Sequence, residues 1–205
     1  MKGKPIQYKN IINLITRSIL AGALIALAGL IYLKTENKIV GSFLFSLGLC
    51  SVVVMNAKLY TGAIGYVNSW RFLGQAMIML VFNLLTAYAL GLIFREIYGV
   101  IPAMDSRLAK SRYEVFFDAI GCGACIYTGV ELYKKTKSFF PVVLCIMSFI
   151  LANFEHTVAD ALYLGISQTS GINWTGVEYV ILIAVGNSLG SLALRTLQLG
   201  FFREE

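Results

Sequence analysis

Charge is scarce in this chain. Only 14% of its 205 residues are charged, 58% are apolar, and mean hydropathy is +0.73. A soluble domain carries about a quarter charged residues, so this composition excludes an ordinary soluble domain and implies one embedded in a bilayer. The 17 Lys and Arg residues outnumber the 11 Asp and Glu, for a net charge of +6. They form no run interleaved with aromatics, which excludes a nucleic-acid partner. Histidine is scarcer still, since His156 stands alone. The four cysteines, Cys50, Cys122, Cys125 and Cys145, all lie in apolar segments. Cys122 and Cys125 have C-x-x-C spacing, but no nearby histidine or second pair completes a metal site. They read as small apolar side chains. With no second histidine, metal cluster or nucleophile beside a base, a membrane enzyme with His156 as acid–base is the weakest reading. No catalytic residue, metal or cofactor is expected. No cleavable leader is legible, and residues 1–9 read as a basic lead-in to a full-length span.

What the chain has is apolar length. Six segments, about 11–33, 39–67, 72–94, 115–133, 139–164 and 177–199, can each form a spanning helix. The expected fold is all-α, a single transmembrane domain over 1–205. Its longest connection, 95–114, is charged, holds Pro102, and is expected to carry a short surface helix. An even number of spans puts both ends on one side. Lys2, Lys4, Lys9, Arg17, Arg71, Lys134, Lys135, Lys137 and Arg203 then fall on the side of the termini, against Lys34, Lys38, Arg95, Arg107, Lys110 and Arg112 opposite. The positive-inside rule makes the termini cytoplasmic. Trp70 and Trp174 fall at span edges, as interfacial anchors do.

The two halves, about 1–98 and 110–205, resemble each other. Residues 21–35 line up without gaps on 122–136, so that Gly22 and Gly123, Ala23 and Ala124, Ile25 and Ile126, Tyr32 and Tyr133, Lys34 and Lys135, and Thr35 and Thr136 coincide. Three spans per half is odd, so the halves enter the membrane from opposite sides. This is the pattern of a 3+3 inverted repeat, with a site where two broken helices meet near the midplane.

Both long spans, the second and the fifth, are polar in the middle. The first interruption, Met55-Asn-Ala-Lys-Leu-Tyr-Thr-Gly62, holds Asn56 and Thr61, which can satisfy backbone groups freed by a break. The second, Ala152-Asn-Phe-Glu-His-Thr157, holds Asn153, Glu155 and His156. An ionisable group at membrane depth is costly and points to traffic of protons or anions. His156 is the candidate proton-exchanging group, and Thr61 its opposite number, offering a neutral hydroxyl. A structural histidine and a local helix cap are the plainer alternatives. Lys58 and Glu155 line a vestibule or belong to structural ion pairs. Lys58 would concentrate anions, and Glu155 must be tied to a cation or to backbone N–H groups. Asp160, one turn past His156, orients it or caps a neighbour. Phe45, Leu49, Leu59 and Phe149 flank the breaks and would form a dry constriction against ion leak. A weak acid with a small conjugate base is the natural cargo, because protonation removes the cost of entering that ring.

At these residues the chain resembles the formate/nitrite transporter family over nearly its whole length. Phe45-Ser-Leu-Gly-Leu and Leu59-Tyr-Thr-Gly look like that family's second span. Asn153-Phe-Glu-His-Thr-Val-Ala-Asp160 looks like its fifth-span signature, and Gly186-Asn-Ser-Leu-Gly190 like its sixth-span Gly-Asn motif. The resemblance implies an aquaporin-like six-span protomer with spans 2 and 5 broken, assembled as a homopentamer with one pore per protomer. It implies a small monovalent anion and a proton as partners, and a place in the plasma membrane. It carries His156 over as the central histidine, Thr61 as its hydroxyl partner, Glu155 as the acidic neighbour, and Phe45, Leu49, Leu59, Phe149 and Ile126 as hydrophobic constrictions. Where family members often have a fourth-span asparagine approaching the histidine, this chain has Gly123. Hydrosulfide is therefore a cargo option beside formate and nitrite. Aquaporins fit worse, since neither break contains Asn-Pro-Ala. A neutral-solute channel on the same fold remains the alternative.

Overall fold

The computed structural model describes residues 8–167 and 174–201. Residues 1–7 of the basic lead-in, and Arg203, lie outside the described residues. Among those described there is no strand. The helices are α1 (Tyr8–Lys34), α2 (Lys38–Val54), α3 (Tyr60–Ala63, continued as a 3₁₀ turn through Tyr66), α4 (Trp70–Tyr98), α5 (Asp105–Leu108), α6 (Arg112–Thr136), α7 (Phe140–Leu151), α8 (Thr157–Ser167) and α9 (Trp174–Phe201). Four of them, α1, α4, α6 and α9, are long and apolar enough to cross a membrane. Their outward faces carry apolar stripes at helical spacing, such as Met77, Val81 and Leu85 on α4 and Ile181, Val185 and Leu189 on α9. Such stripes suit lipid or a neighbouring protomer, not water. Trp70 and Trp174 sit at helix starts and are almost fully exposed.

Packing is paired. Helix α1 lies on α2 and α4, α6 lies on α7 and α9, and α2 meets α7 at the centre. The short helices cross over: α3 contacts α6 and α9, whereas α8 contacts α4 and α1. Close approach is bought with glycine at matching places. A Cβ on Gly22 would run into the Asn83 carbonyl of α4, and one on Gly123 into the Asn187 carbonyl of α9. Gly123 is thus a helix-contact residue. It does not stand where an asparagine could approach His156, because no side chain fits there.

Helices α2 and α7 stop by the same backbone device. Asn56 and Asn153 adopt left-handed φ values of 51° and 58°. The N–H of Asn56 donates to Val53 O and that of Ala57 to Val52 O; the N–H of Asn153 donates to Ile150 O and that of Phe154 to Phe149 O. These are Schellman ends, in which asparagine takes the position that glycine usually fills. After five non-helical residues, 55–59 and 152–156, the chain resumes helix at Tyr60 and Thr157.

Candidate functional site

Neither restarting helix carries its own side-chain cap on the first exposed N–H. Each is served by an asparagine from a long helix. Asn83 on α4 accepts from Tyr60 N–H at 2.8 Å and donates to Ser18 O at 2.7 Å and Lys58 O at 3.0 Å. Asn187 on α9 accepts from Thr157 N–H at 3.1 Å and donates to Ala119 O at 2.8 Å and Glu155 O at 2.9 Å. Both amides are fully buried. Buried backbone groups freed by a break must find partners, and each amide serves two of them, one N–H and one carbonyl, while its third bond ties the break to a carbonyl of α1 or α6. Sequence reasoning singled out neither residue as part of the site. The available signal was a lone amide inside an apolar helix, Leu80-Val-Phe-Asn-Leu-Leu85 for Asn83.

The clamps bring Thr61 and His156 together. Thr61 Oγ1 lies 3.0 Å from His156 Nε2, and both residues are buried. His156 Nδ1 accepts from Ala159 N–H at 3.1 Å. A nitrogen that accepts carries no proton, so the neutral ring holds its proton on Nε2 and donates to the Thr61 hydroxyl. Protonating Nδ1 would set two N–H groups against each other. The ring is therefore held as a neutral donor. Asp160 makes no hydrogen bond to the ring; its side chain pairs with Arg107 instead.

Apolar side chains close both faces of this pair. The Phe149 ring stacks on His156 with centroids 5.9 Å apart, and Phe45 meets Phe149 edge-on at 6.2 Å. Leu49 and Leu59 lie on the other side. All four are at most 4% exposed. Ile126 is buried in the core and lines neither cavity described below.

Two cavities flank the pair. One, of about 560 Å³, is lined by Leu49, Leu59, Asn56, Lys58, Lys134 and Arg195, among others. Lys58 Nζ reaches Asn56 Oδ1 at 3.2 Å, Lys134 sits over the Tyr66 ring, and Arg195 donates to the Gly65 and Val67 carbonyls. The other holds only about 10 Å³ and is lined by Phe45, Phe149, His156, Asp160, Arg107 and Tyr163, among others.

The small cavity is shut by the connection between α4 and α6. The expected short helix is there as α5, but it is not wholly a surface element, because Arg107 turns inward from it. Its guanidinium bonds Glu155 and lies 3.2 Å from Asp160, with side chains only 12%, 0% and 1% exposed. Lys110 Nζ binds Glu155 at 2.6 Å, Asp118 at 2.7 Å and the Asn153 carbonyl at 2.8 Å. Burial works against the Lys110 ammonium, but Asp118 and Glu155 outweigh it and raise its pKa above the ordinary lysine value. Glu155 is thus the hub of an ion-pair cluster, not a free vestibule charge. Asn153 contributes a helix stop and a carbonyl.

The sequence matches the formate/nitrite transporter family model over residues 2–199. No curated protein sequence matches the chain. Among solved structures, a chain described as an "FNT family ion channel" superposes with a TM-score of 0.82 at 16% identity, covering 96% of this chain and 92% of that one. A "pentameric formate channel with formate bound" superposes with a TM-score of 0.81 at 17% identity, covering 97% of this chain and 100% of that one. At such identities the likeness establishes the fold.

Proposed function

The chain belongs to the formate/nitrite transporter family, and from that premise we propose that it carries small monovalent anions of weak acids, formate, nitrite or hydrosulfide, across the plasma membrane. The family is one of transporters, in keeping with a protein that is not an enzyme. Each pair α2/α3 and α7/α8 is one broken span, so the single domain crosses six times as a 3+3 inverted repeat with both termini cytoplasmic. The matched helix stops and the matched asparagine clamps support this reading. The neighbour's description as a pentamer supports a homopentamer with one pore per protomer.

One observation carries the functional reading. Thr61 and His156 are bonded to each other where Phe45 and Phe149 line the small cavity and Leu49 and Leu59 the large one, and we read these two pairs of side chains as apolar rings on either side. Conservative insertion scales set the cost of a charged side chain at membrane centre at about 3 kcal/mol, so a bare anion is held back at the rings. Lys58 and its neighbours concentrate anions at the wide mouth. Within the rings, the anion meets His156 Nε2–H and the Thr61 hydroxyl as donors, and leaves as the neutral acid once a proton has joined it. His156 assists that exchange by holding the anion while the proton arrives from the vestibule water, without becoming a cation itself.

The test is initial uptake of formate, nitrite and hydrosulfide into proteoliposomes as pH falls from about 8 to about 5, where the weak-acid fraction grows. Uptake should rise in the wild type. His156→Asn keeps a donor but cannot titrate; it should lower the rate on the order of tenfold, in line with the loss of one positioned donor, and leave the midpoint of the pH curve in place. A moved midpoint would mean that His156 itself titrates during transport. Absence of uptake of all three anions by intact oligomer would overturn the reading.

A further inference from the structure

Residues 99–111 are docked across the narrow mouth as well as joining α4 to α6. Ile101 N–H donates to Ile166 O at 3.4 Å, the Ser167 hydroxyl to Ile101 O at 2.8 Å, and Met104 N–H to Ser167 Oγ at 3.1 Å. Met104 is buried. This docking delivers the Arg107 guanidinium to the cavity that His156, Phe45 and Phe149 also line. A guanidinium has five N–H donors in a planar fork suited to two acceptors at once. Here one nitrogen, Nη1, makes the contacts to both Glu155 and Asp160, and Nε and Nη2 have no hydrogen-bond partner among the described residues. Asp160 mirrors this. Both of its carboxylate oxygens are buried without a hydrogen bond, although the ion-pair contact to Nη1 is present. A buried ion pair kept for stability satisfies its remaining donors and acceptors, and this one leaves capacity unspent on both partners.

We propose that Arg107 is an anion-docking site of the narrow mouth, taking a small monovalent anion with carboxylate-like acceptors, and that Asp160 is the internal carboxylate that masks it. The charges facing the guanidinium are Glu155 and Asp160, with Lys110 beside it and Asp118 on α6 behind that lysine. The Tyr163 ring on α8 lies 5.0 Å from the guanidinium carbon. Two cations therefore face three carboxylates, so a further anion is disfavoured until one carboxylate yields. An arriving anion occupies Nε and Nη2, Asp160 releases Nη1, and the segment that carries Arg107 can lift from the mouth. Lifting rests on the transport reading; docking does not.

The experiment is chemical modification of the full-length protein in vesicles by the arginine reagent phenylglyoxal. Arg107 is followed by peptide mass spectrometry with and without formate, and formate uptake is measured alongside. In the wild type, formate should protect Arg107. In Asp160→Asn, unprotected Arg107 should react faster, and the half-protecting formate concentration should fall on the order of tenfold. Arg107 modification indifferent to formate in the wild type would overturn the docking site, whether or not the variant folds. Equal modification and protection in wild type and variant would overturn the masking role of Asp160. Protection without any formate uptake would leave the docking site standing and remove the transport reading; uptake without protection would do the reverse.

Discussion

The two interrupted helix pairs share a backbone plan and differ in everything that surrounds it. Each stops at an asparagine in the left-handed region, each runs five residues without helix, and each restarts against a buried amide from a long helix. At the first break, two residues before the restart, stands Lys58, half-buried beside a wide cavity, its ammonium hydrogen-bonded among the described residues only to Asn56. At the equivalent place in the second break stands Glu155, fully buried and held by Arg107 and Lys110. The lesson is that backbone satisfaction and electrostatics are separable. The amide clamps are what permits a break in an apolar environment, because unpaired backbone groups there are too costly to leave. The charges decide whether the resulting mouth stands open or is covered.

That comparison can be broken most severely at the clamps. Asn83→Ala and Asn187→Ala each remove three buried hydrogen bonds, a loss of roughly 3–5 kcal/mol at about 1 kcal/mol per bond plus the orphaned backbone groups. At 2–4 °C per kcal/mol for a chain of this size, thermal unfolding in mild detergent should show two large and similar drops. A drop in only one variant would mean that the halves are not equivalent.

Next come the charges at the matched position. Glu155→Gln leaves Arg107 and Lys110 short of a buried partner and should cost about 3 kcal/mol. Lys58→Gln removes a charge at an open cavity and should cost under about 0.5 kcal/mol. The same thermal measurement tests both, and comparable losses would contradict the contrast between a covered and an open mouth. Lys58→Gln should instead lower anion uptake at low ionic strength and lose that effect in high salt, because screening removes long-range attraction. Uptake that is equally depressed in high salt would remove Lys58 from the steering role.

A smaller and symmetric effect is expected at the apolar rings' selectivity. Leu59→Ala and Phe149→Ala, on opposite sides of the Thr61–His156 pair, should each raise acetate uptake relative to formate, by about tenfold or less if one ring still stands. An unchanged ratio in well-folded variants would exclude these side chains from selectivity. A modest effect is expected at the helix stops: Asn56→Ala and Asn153→Ala should each cost about 1 kcal/mol, because alanine keeps a β-carbon in the left-handed region but loses the short polar side chain that lets asparagine tolerate it, whereas the glycine variants should be near neutral. Unequal penalties would show that one of the two asparagines does more than end a helix.

Much of this was legible in the chain itself. The apolar segments 39–67 and 139–164 are long and polar at their centres, and the non-helical residues 55–59 and 152–156 fall within those polar stretches. Such signals are local, since a run of apolar residues and an interruption are both visible without neighbours. Thr61 and His156 were legible as a pair only by pattern, because 95 residues separate them. Asn83, Arg107 and the part played by Gly123 were not legible. An amide in an apolar helix, an arginine in a charged connection and a glycine in a glycine-rich helix each have a common bland meaning, and only their partners distinguish them.

Composition and hydropathy by themselves determined that this is a helical membrane protein, and the spacing of its polar interruptions determined where the helices fail. Family membership likewise rests on sequence. The tertiary structure alone decided which amide closes each break, which tautomer His156 holds, and that Arg107 lines the small cavity instead of standing on the surface. The reason is physical. Hydrophobic burial is a sum over residues and can be read along the chain, whereas hydrogen bonds and ion pairs depend on distances between groups that only folding brings together.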